Sequence, residues 1–448
     1  MPEHLPSAFR YQADRTSEGW PAKDWYRAFQ SQTLDDLIDS AAGANLDLQA
    51  ARARVLQANA RARQAGAALL PSLDASPNGT YYAGHSAHGG GHEFDWTAML
   101  SASYELDFWG KNRATAQSAE FLAAASRAER DIVALTTLAG VADTYFQTLA
   151  LAERVRIAES NSDAARQVLE VVQARYDAGV AAPVELATQK AAYESARIVV
   201  FDLKQTQVES QSALSLLLGK LPEEFDVKPE PLEAIQEPQL SAGVPSELMA
   251  RRPDVYLAEA NLRSARADIA AARAAMFPSI SLTAGAGVAN PALPATVLTI
   301  PGVGPSLALG GNLTQPIFNR GKLKAQHEEA IAKETELLAS YRSSIISAFS
   351  DVENALAAIQ HLNQARDAQR ENLTQSERAF AGAKARYEAG SGDFLTLLEA
   401  QRTLYAARDE FIQYRVARLQ ALVSLCKALG GGWNAGEAPG VKPAMETR

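Results

Sequence analysis

The stretch Ala174-Arg175-Tyr176-Asp177-Ala178-Gly179 returns as Ala385-Arg386-Tyr387-Glu388-Ala389-Gly390, at an offset of 387 − 176 = 211 residues. Gly110-Lys111 and Gly321-Lys322 keep that offset, and so do Leu218-Gly219 and Leu429-Gly430. Further upstream, Leu70-Pro71-Ser72-Leu73 matches Phe277-Pro278-Ser279-Ile280 at a slightly shorter spacing. A repeat of fixed period means that one supersecondary unit is built twice. What that unit contains decides the fold.

Working outward from the motif, residues 78–182 and 317–438 hold no proline. Lys111 to Ala178 has one glycine, Gly140, and is rich in Ala, Glu, Arg and Gln, a helical composition. At 1.5 Å per residue such a helix is about 100 Å long, and Gly321 to Ala389 repeats it. Each rod ends where glycine can supply a left-handed cap, and a returning helix follows. The second of these carries two heptad seams. One is Leu395, Leu398, Arg402, Tyr405, Asp409, Ile412, Val416, Leu419, Val423 and Cys426. The other is Leu397, Ala400, Leu404, Ala407, Phe411, Tyr414, Arg418, Ala421 and Leu425. A two-stranded coiled coil needs one seam. Two call for a neighbour on each side, as in a closed ring of helices or a buried bundle helix.

Ahead of each rod the period changes to two. Phe94, Trp96, Ala98, Leu100, Ala102, Tyr104 and Leu106 alternate with Asp95, Thr97, Met99, Ser101, Ser103 and Glu105. Ser279–Val288 and Ser306–Thr314 alternate likewise, and Ser72–Tyr82 is a weaker fourth strand. Each half therefore predicts one hairpin, with loops near His85–His92 and Pro291–Pro301. Strands of about ten residues with small or polar residues opposite apolar ones, and aromatic residues such as Tyr81, Tyr104 and Trp109 near their ends, fit a transmembrane β-barrel. They also fit a soluble sheet with one wet face. Four strands cannot close a barrel and open edges are not viable in lipid, so the barrel reading demands an oligomer. Three chains would supply twelve strands.

The organisation that follows is an extended segment over 1–33 and a first repeat over 34–218 (hairpin 72–107, long helix 111–178, returning helix 184–218). A linker spans 219–245. The second repeat covers 246–429 (hairpin 279–316, long helix 321–389, returning helix 394–429), and a tail covers 430–448. The net charge of −9 over 448 residues speaks against nucleic acid as a partner. No run of about 18 apolar residues exists for a transmembrane helix. Cys426 is the only cysteine and lies in an apolar run, which reads as a packed residue. There is no Gly-x-Ser-x-Gly elbow, Walker loop or His-Glu-x-x-His helix, so neither catalysis nor a cofactor is expected. His85, His88 and His92 could bind a metal in an ordered loop, but a polar loop without metal is the expectation.

The order helix, hairpin, rod, Tyr-x-x-Gly turn and returning helix, all twice, resembles the TolC-like outer-membrane efflux channels. The likeness is closest to their NodT-like and OprM-like lipoprotein branch, which serves tripartite pumps of the resistance–nodulation–division type. It rests on Trp25-Tyr26-Arg27-Ala28-Phe29, Ala250-Arg251-Arg252-Pro253-Asp254-Val255, Gln315-Pro316-Ile317-Phe318, Leu397-Leu398-Glu399-Ala400-Gln401-Arg402 and Ala428-Leu429-Gly430-Gly431-Gly432-Trp433. The resemblance implies an α+β membrane protein. That protein is a homotrimer with a twelve-stranded outer-membrane barrel, continued by a periplasmic helical barrel and girdled by an equatorial belt from residues 10–35, 219–245 and 430–448. The branch's lipidated N-terminal cysteine is absent; Met1 reads as its replacement in a mature domain, and native lipidation stays open.

The resemblance also implies an iris-like gate at the periplasmic end, with Leu395, Glu399 and Arg402 facing the pore. Glu185 is taken as the matching acidic position of the first half, and Tyr387 as a link between helices. A solvated Glu399–Arg402 pair is the plainer reading. The tips Gly179, Val180, Ala181 and Pro183, with Gly390, Ser391, Gly392 and Asp393, are expected to dock a periplasmic adaptor, or simply to be tight turns. Partners implied are outer-membrane lipid, that adaptor and an inner-membrane transporter. The function expected is passive export of drugs, toxic small molecules or ions. Type I protein secretion and a soluble coiled-coil scaffold are the alternatives.

Overall fold

A computed structural model describes residues 8–11, 20–86, 89–227, 230–240, 242–290 and 305–434. Two short helices open the chain: α1 (Gln32–Ala44) and α2 (Leu46–Ala67). The Ser31 hydroxyl starts α1 by accepting from the Leu34 N–H at 3.2 Å, and the Asn45 side chain starts α2 by accepting from Leu48 at 2.9 Å. Strands β1 (Ser72–Ser86) and β2 (Gly89–Leu106) lead into α3 (Lys111–Asp177) and α4 (Pro183–Leu217). The second copy follows as α5 (Leu248–Arg251), α6 (Pro253–Ala274), β3 (Ser279–Asn290), β4 (Pro305–Thr314), α7 (Lys322–Glu388) and α8 (Phe394–Ala428).

The repeat survives into the backbone. The rods α3 and α7 are each 67 residues and the returning helices α4 and α8 each 35. Gly179 and Gly390 hold φ of +74° and +75°, and Gly110 and Gly321 both hold +80°. At the rod ends the N–H groups of Val180 and Ser391 return to the carbonyls of Arg175 and Arg386, each at 2.9 Å. These six-to-one bonds are Schellman caps. Helix α4 starts one residue before the expected Val184, because proline suits the first helical position.

The chain forms two compact units, each drawing on both copies. One takes Ala53–Ala128 and Leu257–Arg342 and holds the sheet, an antiparallel array in the order β1-β2-β3-β4. Its register places Leu73, Ala102, Ala284 and Leu309 in one row, and Leu100, Ala286 and Leu307 in another. One face is thus apolar throughout. The other carries Ser101, Ser103, Ser281, Thr283, Asn312 and Thr314. Leu73, Leu100, Leu282, Leu307, Leu309 and Leu313 are all exposed within the chain. Two expectations are corrected here. Strands β1 and β2 reach 15 and 18 residues, and the expected loop at His85–His92 is largely ladder: Gly84 pairs with Gly91, His85 with Gly90 and Ser86 with Gly89. Backbone hydrogen bonding extends pairing once started, even where glycines erase the alternation. The second expected loop, Pro291–Pro301, lies outside the described residues.

The helices of this unit meet through small residues. Ala116, Ala123, Ala124, Ala125 and Ala128 of α3 are buried, and Ser118 on α3 shares a buried 2.9 Å hydrogen bond with Ser264 on α6. Among the described residues no helix is long and apolar enough to cross a membrane.

The other unit takes Met1–Arg52, Glu129–Tyr256 and Ser343–Arg448. Its core joins Trp25, Phe29, Leu34 and Ile38 to Tyr145 and Phe146 of α3, Leu214 of α4, and Ile412, Val423 and Cys426 of α8. Burial pushes the Cys426 thiol up to about 12, which leaves it an inert packed group. The linker after α4 carries too little periodic signal to be read, yet it is pinned along its length. Leu232 and Ile235 are buried, and Glu230 receives the hydroxyls of Ser31 and Tyr145. Glu233 pairs with Arg415 at 3.6 Å, and Glu237 pairs with Arg366 at 3.7 Å and with Arg418. The expected tail beyond Asn434 and most of the segment before Trp20 fall outside the described residues. Helix α8 buries members of both seams: Leu398, Ile412, Val416 and Leu419 on one, Leu397, Leu404, Ala407 and Leu425 on the other.

Candidate functional site: the closed tip of the helical unit

At the tip where α3 turns into α4 and α7 into α8, side chains from all four helices converge. Tyr387, 2 % exposed, sits among Val168 and Val172 of α3, Leu186 of α4, and Phe394, Leu397 and Leu398 of α8. Its hydroxyl donates to the Glu185 carboxylate at 3.2 Å, which ties α7 to α4. Burial, together with that carboxylate, raises the tyrosine's pKa, so the phenol keeps its proton and its donor role. The Arg175 guanidinium lies 4.6 Å from the centre of the Tyr387 ring and donates to the Tyr387 carbonyl at 2.8 Å.

Sequence reading missed Arg175. The signal was present, since Ala-Arg-Tyr occurs in both copies. The structure uses the arginine of the first copy and the tyrosine of the second. Their counterparts Tyr176 and Arg386 remain exposed.

Leu395, Glu399 and Arg402 form an exposed face of α8, with Leu395 73 % exposed. Leu395 and Arg402 belong to a seam whose other members are mostly buried, so this end of the seam alone is left open. Glu399 and Arg402 form no ion pair with each other among the described contacts. Glu185 does not match Glu399. It is the third residue of α4, as Thr396 is of α8, and the match of Glu399 is Thr188. The one-residue misjudgement of where α4 begins and the shared acidic character produced the false pairing.

The turn between α7 and α8 is tightly built. Asp393 accepts from the Thr396 N–H at 2.8 Å and from its hydroxyl at 2.7 Å, and these bonds hold its carboxyl below the usual range. A Cβ on Gly392 would meet the Tyr387 nitrogen at 3.0 Å, so the backbone itself needs glycine there. Val180 is 65 % exposed, and Pro183 and Ser391 are also open to solvent. Among the described residues no group of His, Cys, Asp or Glu is placed to hold a metal. The side chains of the His85, His88 and His92 trio lie outside the described set.

A profile described as outer membrane efflux protein matches residues 37–220 and 244–431, one match on each copy of the repeat. The chain belongs to the outer membrane efflux protein family. It is 42 % identical over 437 residues to the pyoverdine export outer membrane protein OpmQ of Pseudomonas aeruginosa, covering 96 % of this chain and 91 % of the relative. The toluene efflux pump outer membrane protein TtgC of Pseudomonas putida is 32 % identical over 91 % of this chain and 85 % of its own. Among solved structures, the outer-membrane channel OprN superimposes with a TM-score of 0.87 at 25 % identity, covering 96 % of this chain and 98 % of that one. As a family member, this protein is an outer-membrane component of an efflux pump that reaches into the periplasm of a Gram-negative cell. The family is one of ducts rather than enzymes.

Proposed function

We propose that three copies form the exit duct of a tripartite pump, each contributing its four-stranded sheet to one twelve-stranded barrel. The observation that carries this is the sheet itself: a wholly apolar exposed face, and edge strands β1 and β4 without partners in the chain. In hydrocarbon, unpaired strand edges are too costly to persist, and closure removes them.

In that trimer the exposed face of α8 meets its own copies. Three Leu395 side chains would close the pore by dewetting and three Glu399 carboxylates would favour cations. Arg402, free of partners within the chain, would reach a neighbour. Tyr387, Glu185 and Arg175 hold the closed tip. The tips Gly179–Pro183 and Gly390–Asp393 dock a periplasmic adaptor linked to an inner-membrane transporter of the resistance–nodulation–division type. A lipid anchor at the native N-terminus completes the reading. Identity to the pyoverdine exporter, higher than to the toluene pump component, favours a secreted iron chelator of that class as cargo.

The test is planar-bilayer conductance of the detergent-purified protein beside Leu395→Ala/Glu399→Ala. Small cation-selective steps that grow severalfold in the variant support both pore and gate. Equal conductance from the two proteins would remove the gate, and no conductance from either would remove the duct.

A further inference from the structure

In the helical unit, α3 and α8 are the inner helices. Helix α3 meets α4 through Thr148–Ser210 at 2.8 Å and Lys204–Glu159 at 2.7 Å. It meets α8 through Arg154–Asp409 at 2.6 Å and through Arg408, which donates to Asn161 at 3.1 Å. Helix α8 meets α7 through Gln369, which donates to the Ala407 carbonyl at 2.9 Å. The order along this body is α4-α3-α8-α7, and the two outer helices carry the unpartnered faces. On α4, Ile198, Phe201 and Val208 are 57–60 % exposed. Their counterparts one repeat later, Asp409, Ile412 and Leu419, face α3 in the same chain, and Ile412 and Leu419 are 3 % and 1 % exposed. The same helix face is covered in one copy and bare in the other.

The internal repeat supplies the missing neighbour and its register. Advancing one repeat turns α3 into α7 and α8 into the α4 of another chain. The Arg408–Asn161 contact then becomes Arg197 against Asn372. Both residue types are retained at those positions, and Asn372 is exposed. The Arg154–Asp409 ion pair becomes Ala365 against Ile198, both charges being exchanged for apolar groups together. Within the chain, Arg197 holds only Glu194 of its own helix, at 2.8 Å, and lies over the Tyr193 ring.

We infer that α4 packs against α7 of a second copy of this chain in the register that sets Arg197 opposite Asn372 and buries Ile198, Phe201 and Val208. This rests on the oligomeric reading above and deepens it to named residue pairs. In the seam the Arg197 guanidinium donates to the Asn372 carbonyl oxygen, while the apolar stripe loses its contact with water.

The experiment pairs full-length Arg197→Cys with full-length Asn372→Cys, the two chains carrying different tags and co-expressed, then treated with a short bifunctional thiol reagent. Cys426 is buried and stays silent. The expected result is a covalent band holding both tags, absent from either variant alone. When both substitutions sit in one chain, the monomer band is lost into a covalent trimer. Arg197→Cys with Ala379→Cys, about 10 Å further along α7, should give none. A trimer by light scattering without the 197–372 band, or with the 197–379 band in its place, overturns the register and leaves the duct standing. A wild-type protein that is not oligomeric overturns the duct reading itself. A link confined within one chain overturns the inference alone.

Discussion

Asp143 on α3 is a carboxylate with no function in the duct and a clear thermodynamic cost. Its Oδ1 has no hydrogen-bond partner among the described residues. Burial pushes its pKa up to about 7, against the opposing pull of Lys427. A carboxyl whose folded pKa lies above its unfolded value stabilises the fold fully below about pH 4, and that contribution fades as the pH rises to 7. Asp143→Asn should therefore leave stability at pH 4 unchanged. Above pH 7 it should raise stability by about 2 kcal/mol, below the full linkage value because the carboxyl keeps part of its solvent. Thermal denaturation of the detergent-solubilised protein at several pH values checks this. A gain equal at pH 4 and pH 8 would mean that packing, not ionisation, sets the effect. Tyr387 illustrates the opposite economy at the same scale, because its one polar atom has a partner and its ring has a cation.

At the scale of elements, Arg252 anchors the end of α8. It is 8 % exposed. One arm donates to the Ala428 carbonyl at 3.0 Å, in the last turn of α8, and the other reaches Asp254 at 2.6 Å and Asp351 at 2.9 Å. Arg252→Ala strands two carboxylates and a helix-end carbonyl, at about 3 kcal/mol. Arg252→Lys should recover little of that, since an ammonium cannot span the three partners. Urea unfolding followed by circular dichroism measures both, and a lysine variant as stable as wild type would contradict the anchoring.

The same scale shows what the sequence could convey. The rods were legible because 67 residues without proline leave few alternatives to helix, and β2 from Phe94 was legible because its alternation is clean. The ladder over Gly84–Gly91 was not, since glycine carries no alternation. The linker was not, since its anchors Glu230, Glu233 and Glu237 find partners far along the chain that no local pattern announces. At the candidate gate, Leu395, Glu399 and Arg402 were named from the resemblance, whereas Arg175 needed the fold to bring two ends of the chain together.

For the whole molecule the decisive question is how a duct without a motor joins its pump, and the tips carry the argument. They expose Val180 and Val184 beside glycine turns that let another helix hairpin approach closely. A charge placed there is on the surface of the free channel, where it costs the fold little, but would be desolvated under an adaptor. Val180→Asp with Ser391→Asp should therefore leave the trimer and its bilayer conductance unchanged while weakening adaptor binding tenfold or more, about 1.4 kcal/mol at the least. In a Pseudomonas strain lacking its own pyoverdine export outer membrane protein, wild-type chain should restore extracellular pyoverdine and the tip variant should not. Export restored equally by both would show that the adaptor grips elsewhere. Export restored by neither, with drug efflux intact, would keep the duct and its docking tips and replace the cargo.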